Sequence, residues 1–275
     1  ANTTLTYELT SGIGDAGNIL FSLESNGTLR TAQPLDYEVN ASLVIRVRVK
    51  DERNRSVEGM FTVNLKDLND APANLSSVGS LNVSENQQVG TLVGVFNASD
   101  QDVNTILTYE LVSGSGDAGN ILFVLDSNGS LRTATIFDFE NNTSTYSLLV
   151  RVRDERNESV EGNFSVNLLD LNEAPYNLGS VSHLSVLENQ APGAFVGEFN
   201  ASDYDTNTSF SYSLQDGNGA TGNAYFTIDM NGTLRTAVSL NYEKNPTFSI
   251  RVRVSDESND YVEGNFTVEI LDINE

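Results

Sequence analysis

The chain has 275 residues, no cysteine and a net charge of −23, from 38 acidic against 15 basic residues. That charge excludes a nucleic-acid partner, which needs a basic face, and the lack of cysteine excludes disulfides and thiolate metal sites. A hydrophobic content of 39% is enough for packed cores, so disorder is not expected, and no apolar run in this segment approaches a membrane span.

One phrase occurs three times. Asn26-Gly27-Thr28-Leu29-Arg30-Thr31-Ala32 returns as Asn128-Gly129-Ser130-Leu131-Arg132-Thr133-Ala134 and as Asn231-Gly232-Thr233-Leu234-Arg235-Thr236-Ala237. A period of about a hundred residues is a whole domain rather than a solenoid unit. Aligned on this phrase, the chain divides into 1–70, 71–173 and 174–275, with breaks at Ala71-Pro72 and Ala174-Pro175. Each break follows an acidic phrase, Asp67-Leu68-Asn69-Asp70 and then Asp170-Leu171-Asn172-Glu173, and the chain ends on Asp272-Ile273-Asn274-Glu275. Residue 2 aligns with Asn104, so repeat one lacks the equivalents of residues 79–97.

Within repeat two, period-two alternation predicts strands near 79–84, 91–97, 107–112, 121–125, 130–134, 145–153 and 159–169. Asn-Gly between apolar runs predicts a type I′ hairpin, with positive φ at both residues. No stretch has a helical period. Seven short strands in about a hundred residues give an all-β fold, tandem seven-stranded Greek-key (Ig-like) β-sandwiches, with the first repeat incomplete.

Strand parity then sorts the acids. Successive strands run up and down, so loops alternate between the two ends of a sandwich. Asp100, Asp102 and Asp154 fall at the entry end of repeat two; Glu85, Asp138 and Glu140 fall at its exit end. The seam between repeats two and three gathers that exit set, Asn172 and Glu173 of the linker, and Asp203, Asp205 and Asp256 from the entry end of repeat three. Two unit charges about 4 Å apart repel by roughly 4 kcal/mol at an effective dielectric near 20. Several such pairs would exceed the usual stability of a domain, roughly 5–15 kcal/mol. The modules must splay apart or cations must fill the seam. Oxygen ligands without His or Cys select a hard ion, and Ca²⁺, with its flexible oxygen shell, fits better than Mg²⁺.

These residues resemble the cadherin repeats. Ser84-Glu85-Asn86 and Leu187-Glu188-Asn189 are similar to that family's Pro-Glu-Asn motif, and Asp100-Gln101-Asp102 and Asp203-Tyr204-Asp205 to its Asp-x-Asp motif. Leu35-Asp36-Tyr37-Glu38, Phe137-Asp138-Phe139-Glu140 and Leu240-Asn241-Tyr242-Glu243 resemble Leu-Asp-Arg-Glu. Asp51, Asp154 and Asp256 match the acid after the sixth strand, and the linkers resemble Asp-x-Asn-Asp-Asn-x-Pro. The resemblance implies calcium at each junction, stiffening the chain of modules. It assigns Glu85, Asp138 and Glu140 to the lower ions, with Asp36 and Glu38 doing so one junction earlier. Asp70 and Glu173 bridge. Asn69, Asn172 and the acids Asp100, Asp102, Asp154, Asp203, Asp205 and Asp256 hold the upper ion. Ala71 and Ala174 stand where the family has its last linker Asn, Glu173 where it has Asp, and Asn241 where it has Asp. Asp67, Asp170 and Asp272 are equally well read as solvated loop residues, and Asp15 and Asp117 as caps of Gly-rich loops.

Asn-x-Ser/Thr sequons recur from Asn2 to Asn265, suiting either N-glycans or turns and wet strand faces. Nothing reads as catalytic: His183 has no positioned base or nucleophile beside it. The reading is of non-enzymatic, Ca²⁺-stiffened extracellular adhesion or stalk modules at a cell surface. The expected partners are other protein chains or copies of itself. Two further readings stand beside it: a subunit of an extracellular filament completed by a donated strand, and a module that binds surface polysaccharide.

Overall fold

The computed structural model describes residues 4–274, so the sequon at Asn2 and the terminal Glu275 lie outside the described residues. Repeat one carries β1 (Thr6–Leu9), β2 (Phe21–Leu23), β3 (Leu29–Thr31), β4 (Ser42–Lys50) and β5 (Ser56–Asn64). Repeat two carries β6 (Ala73–Ser77), β7 (Asn82–Ser84), β8 (Leu92–Ser99), β9 (Thr108–Leu111), β10 (Phe123–Leu125), β11 (Ser130–Thr133), β12 (Thr145–Arg153) and β13 (Ser159–Leu169). Repeat three carries β14 (Tyr176–Ser180), β15 (Ser185–Leu187), β16 (Phe195–Ser202), β17 (Ser211–Leu214), β18 (Phe226–Ile228), β19 (Thr233–Thr236), β20 (Thr247–Ser255) and β21 (Tyr261–Leu271). Among the described residues there is no α-helix; each repeat has one 3₁₀ turn, at Asn18–Leu20, Asn120–Leu122 and Asn223–Tyr225.

Alternation explains the strands. Along β20, Phe248, Ile250, Val252 and Val254 point inward and are buried, because successive side chains of a strand face opposite sides. Arg251 and Arg253 point outward, and both pair with Glu263 of β21. The hydrogen bonds from Arg251 and then Arg253 hold Glu263 below the usual carboxylate range.

Repeat three shows the complete sandwich. One sheet runs β14-β16-β19-β18 and the other β15-β21-β20-β17. Leu184, Val186, Val196, Phe199, Leu234, Ile250, Val252 and Val268 meet in its core. Each fully buried side chain of this size contributes about 1.5–3 kcal/mol. In repeat two, β6, β8, β11 and β10 form the corresponding first sheet. Among the described residues, repeat one carries the sheet β1-β4-β5 and the ribbon β2-β3.

Three local expectations are corrected. The opening strand is two strands, not one. In repeat three, β14 pairs antiparallel with β16 and β15 pairs parallel with β21, so one passage protects an edge of each sheet. In repeat two, Gly79, at φ +85°, turns the chain between β6 and β7. The strand expected from 121 starts at Phe123, since the 3₁₀ turn occupies Asn120–Leu122. The Asn-Gly hairpin is not type I′. Gly27, Gly129 and Gly232 have φ of +90°, +90° and +88°, and Asn26, Asn128 and Asn231 are not in the left-handed region. The Gly27 N–H donates to Glu24 O (2.8 Å), and the Glu24 N–H to Thr28 O (3.0 Å). This is the pattern of a turn closed by a glycine bulge. Asn26 Oδ1 accepts the Thr28 N–H at 2.9 Å, an Asx arrangement that needs no positive φ at asparagine.

The described residues cluster into two units, one of Ala1–Asn82, Gln88–Thr135 and Tyr146–Val166, the other of Val83–Gln87, Ile136–Thr145 and Asn167–Glu275. The acids expected at the first seam all belong to the first unit, and those expected at the second seam all belong to the second.

Candidate metal centres

In the second unit the organising residue is Glu85, which follows β7 and is 1% exposed. Its Oε2 accepts the Phe139 N–H (2.7 Å) and its Oε1 the Leu171 N–H (2.8 Å), while its own N–H donates to Leu169 O (3.1 Å). One buried carboxylate therefore ties a loop to the linker. Glu188, 0% exposed, repeats the device with Tyr242 (2.9 Å) and Ile273 (3.0 Å). Those two amides hold Glu188 below the usual range.

Other acids crowd onto this frame. Glu85, Glu140 and Asp170 each place an oxygen within 4.8 Å of the others, and so do Glu140, Glu173 and Asp205. Burial pushes the Glu140 carboxyl up, with the charges of Glu85, Asp170 and Asp205 adding to it. Burial and then the charges of Asp205 and Glu85 raise Asp170 likewise. Glu173 is pushed up to about 7, first by burial and then by the charge of Glu85. Its Oε1 accepts a hydrogen bond from Asn86 Nδ2, and Asn86 takes φ +58° to offer it.

The entry loops of repeat three complete the seam. The Glu173 N–H donates to Asp205 Oδ2 (2.8 Å), and the Asp205 N–H to Asp203 Oδ1 (3.1 Å). Asn172 Nδ2 donates to Asp256 Oδ2 and to Asp260 Oδ2, both at 2.9 Å. Asp256 is 4% exposed. Burial raises the Asp203 carboxyl, and the charges of Asp205 and Asp256 raise it further.

The first unit repeats the arrangement. The Asp70 N–H donates to Asp102 Oδ2 (2.8 Å) and the Asp102 N–H to Asp100 Oδ1 (2.9 Å). Asn69 Nδ2 donates to Asp154 Oδ2 (2.7 Å). Burial pushes Asp154 up, but the bonds from Asn69 and from the Arg156 and Glu158 amides outweigh it and hold the group low. Glu38, Asp67 and Asp102 converge within 4.8 Å. Burial, then the charges of Asp67, Asp70 and Asp36, raises Glu38.

Among the described residues, the buried side-chain oxygens without a partner are Asp100 Oδ2, Glu173 Oε2 and Asp203 Oδ2. All three lie in these two seams. An orphaned buried oxygen costs about 1–3 kcal/mol, and more when charged. Among the described residues no Lys, Arg or His forms an ion pair with a seam acid. Asp51, at the entry end of repeat one, differs: the Arg55 guanidinium sits 2.8 Å from its Oδ2. The residue in Arg55's place is Glu158 in repeat two and Asp260 in repeat three.

Two acids of the motif stand outside the clusters and cap their own loops. Asp36 Oδ1 accepts the Val39 N–H (3.0 Å), and Asp138 Oδ1 the Asn141 N–H (2.9 Å). Asn241 Oδ1 does the same for Lys244 (2.9 Å), so an amide serves this cap as well as a carboxylate. Asp67 and Asp170 join the clusters, and Asp272 meets Glu188 and Glu243 in a further one. Asp15 and Asp117 accept the Gly12 and Gly114 N–H groups, both at 2.9 Å, and stay in their loops.

Tandem β-sandwiches with acidic seams between them define the class. The cadherin domain model matches residues 80–169 and 182–271. The human protein Protocadherin-23 is 33% identical over 93% of this chain, which spans 8% of that protein. The human Cadherin EGF LAG seven-pass G-type receptor 2 is 30% identical over 98% of this chain, which spans 10% of it. Extracellular cadherin domains 1-5 of Protocadherin Gamma B2 superpose with a TM-score of 0.66 at 21% identity, covering 99% of this chain and 54% of that one. A Protocadherin gammaB7 EC3-6 cis-dimer structure superposes with a TM-score of 0.63 at 24% identity, covering 98% and 67%. The chain belongs to the cadherin family. It spans about a tenth of the length of these curated relatives or less.

Proposed function

We propose that the chain is a run of extracellular cell-surface adhesion modules, bounded at 1–70, 71–173 and 174–275, whose two junctions bind Ca²⁺. The observation that carries this is that, among the described residues, the orphaned buried side-chain oxygens all belong to the two seams. A divalent cation would satisfy those oxygens and stabilise the charged forms that burial, and then the neighbouring acids, disfavour at Glu140, Glu173 and Asp203. The donor set is carboxylate and side-chain amide oxygen, which suits a hard ion with a flexible shell.

At the second junction Glu85, Glu140, Asp170, Glu173 and Asp205 would hold the lower ions, and Asn172, Asp203, Asp205 and Asp256 the upper one, with Asp138 on the loop beside them. At the first, Glu38, Asp67 and Asp102 would act below, and Asn69, Asp70, Asp100, Asp102 and Asp154 above, with Asp36 on the flanking loop. A bound ion would supply charge neutralisation to acids drawn from an exit loop, a linker and an entry loop. The protein residues supply a frame fixed by backbone hydrogen bonds to Glu85. Chain-to-chain pairing is the expected activity, in keeping with the cis-dimer of one structural neighbour.

Calorimetric titration tests this reading. Calcium should bind saturably with dissociation constants of roughly 10⁻⁴–10⁻³ M, the range of extracellular modules. Heats no larger than those of buffer dilution up to about 10 mM, well above that range, would overturn it.

A further inference from the structure

Asparagine followed by glycine is chemically labile, because the glycine nitrogen closes on the asparagine side-chain carbonyl with no Cβ to screen it. The chain has four such pairs, Asn26-Gly27, Asn128-Gly129, Asn218-Gly219 and Asn231-Gly232. All four asparagines are exposed, so solvent access does not separate them, but their hydrogen bonding does.

In the three hairpin pairs the glycine is the fourth residue of its turn, and its N–H closes that turn. The Gly27 N–H donates to Glu24 O (2.8 Å), the Gly129 N–H to Asp126 O (2.9 Å) and the Gly232 N–H to Asp229 O (2.9 Å). The asparagine side chain is held as well. Oδ1 of Asn26, Asn128 and Asn231 accepts the N–H two residues on, from Thr28 (2.9 Å), Ser130 (3.0 Å) and Thr233 (3.2 Å). Both groups that would react are therefore engaged elsewhere.

Asn218-Gly219 lies in the loop between β17 and the 3₁₀ turn Asn223–Tyr225. Here the turn runs from Gly217 to Ala220 and is closed by the Ala220 N–H on Gly217 O (3.2 Å). Gly219 is its third residue, a position whose N–H takes no part in the closure. Among the described residues, no hydrogen bond uses the Gly219 N–H or the Asn218 side chain. The corresponding loops of repeats one and two are capped. Asp15 Oδ2 accepts the Gly12 N–H and Asp117 Oδ2 the Gly114 N–H, both at 2.9 Å. Ala220 stands in the place of those aspartates, and Asn218 in the place of Ile13 and Ser115. Repeat three thus combines a labile pair with the loss of the cap.

We propose that Asn218 is a site of spontaneous deamidation, with water as the co-reactant. The Gly219 nitrogen bonds to Asn218 Cγ, the Cγ–Nδ2 bond breaks, and the proton from Gly219 leaves with Nδ2 as ammonia. Water then opens the five-membered imide at either carbonyl and gives aspartate or isoaspartate. In the isoaspartate the chain runs through Cγ, and the former main-chain carbonyl of Asn218 becomes a carboxylate. That oxygen already accepts Arg251 Nη1 at 3.4 Å, so the new charge arises against a guanidinium that also pairs with Glu263.

The test incubates the full folded chain in mildly alkaline buffer and follows the four pairs by peptide mass spectrometry. Conversion at Asn218 should outpace that at Asn26, Asn128 and Asn231 by about tenfold or more, the scale expected when two hydrogen bonds must first be broken. Isoaspartate and aspartate should appear together at position 218, the mark of the imide. In urea the four pairs should convert at similar rates. Asn218→Gln, at an exposed turn position, should remove the acidic species that accumulates on isoelectric focusing of the folded chain. Equal rates at the four pairs in the folded chain, a hairpin pair that leads, or aspartate at position 218 without isoaspartate would each overturn the proposal. So would a tenfold lead of Asn218 that persists in urea, because the fold would then not be its cause.

Discussion

Replacing Asp203 by Asn should change stability in opposite directions with and without calcium. Without a cation, Asp203 Oδ2 is buried and unpaired, and burial with the charges of Asp205 and Asp256 raises its carboxyl. An amide removes one charge from that cluster and presents an N–H₂ where the orphaned oxygen was. Taking the low end of the cost of an orphaned group, because Asp203 is only partly buried, the variant gains about 1 kcal/mol in chelator. For a domain of about a hundred residues, that raises the midpoint by about 4–8 °C. With calcium the sign inverts. A site with a dissociation constant of about 10⁻⁴ M contributes about 2.7 kcal/mol at about 10 mM ion. Losing most of that outweighs the gain, so the variant should melt below the parent. Scanning calorimetry of both proteins in chelator and in calcium reads the crossing directly. A variant that is less stable in chelator, or one that keeps the parent's calcium-induced rise, refutes the reasoning.

Further outcomes follow from the same geometry. In the cation-free chain, Glu173 titrates near 7 when folded against 4.5 unfolded. The folded state thus binds more protons between these values, and stability should fall as pH rises from about 4.5 to about 7 and stay low above it; a chelated chain equally stable at pH 5 and pH 8 would contradict this, and Glu173→Gln should flatten the slope. Asp51→Asn should leave the calcium stoichiometry by calorimetry unchanged, because Arg55 already occupies that acid, whereas Asp154→Asn should lower it. Leu234→Ala should cost about 2–5 kcal/mol in urea unfolding, as a fully buried leucine does, and Leu29→Ala less than about 1 kcal/mol, because its side chain is exposed. Equal costs at the two positions would contradict this difference in burial.

Much of the fold was legible because alternation is strong and the repeat supplies the register three times. The split of the opening strand was not legible. Nothing in Leu81-Asn82-Val83-Ser84 says that Ala73–Ser77 before it pairs with a different sheet; that follows from the need to protect an edge of each sheet. The Asn-Gly signal located each hairpin but misassigned its turn, since a type I′ turn and a glycine-bulge loop share the dipeptide and differ in closure. At the seams, motif order located the acids, while spacing could not say which carboxylates turn back on their own loops. Asp36 and Asp138 cap Val39 and Asn141, and Asp67 and Asp170, equally well read as solvated, converge with Glu38 and Glu85. Asn241 was the available signal, since a position that accepts Asn for Asp is serving a hydrogen bond. Asp260 carried no motif at all, and its bond to Asn172 arises only because the turn after Asp256 brings it back over the linker.

The claim that the seams are calcium sites is tested most directly by anomalous diffraction from crystals of this chain grown with calcium. The account predicts anomalous density beside Asp100 Oδ2 in the first seam and beside Glu173 Oε2 and Asp203 Oδ2 in the second, with none at Asp51. Water in both seams at saturating calcium, with those three oxygens still unpaired by any cation, would contradict it.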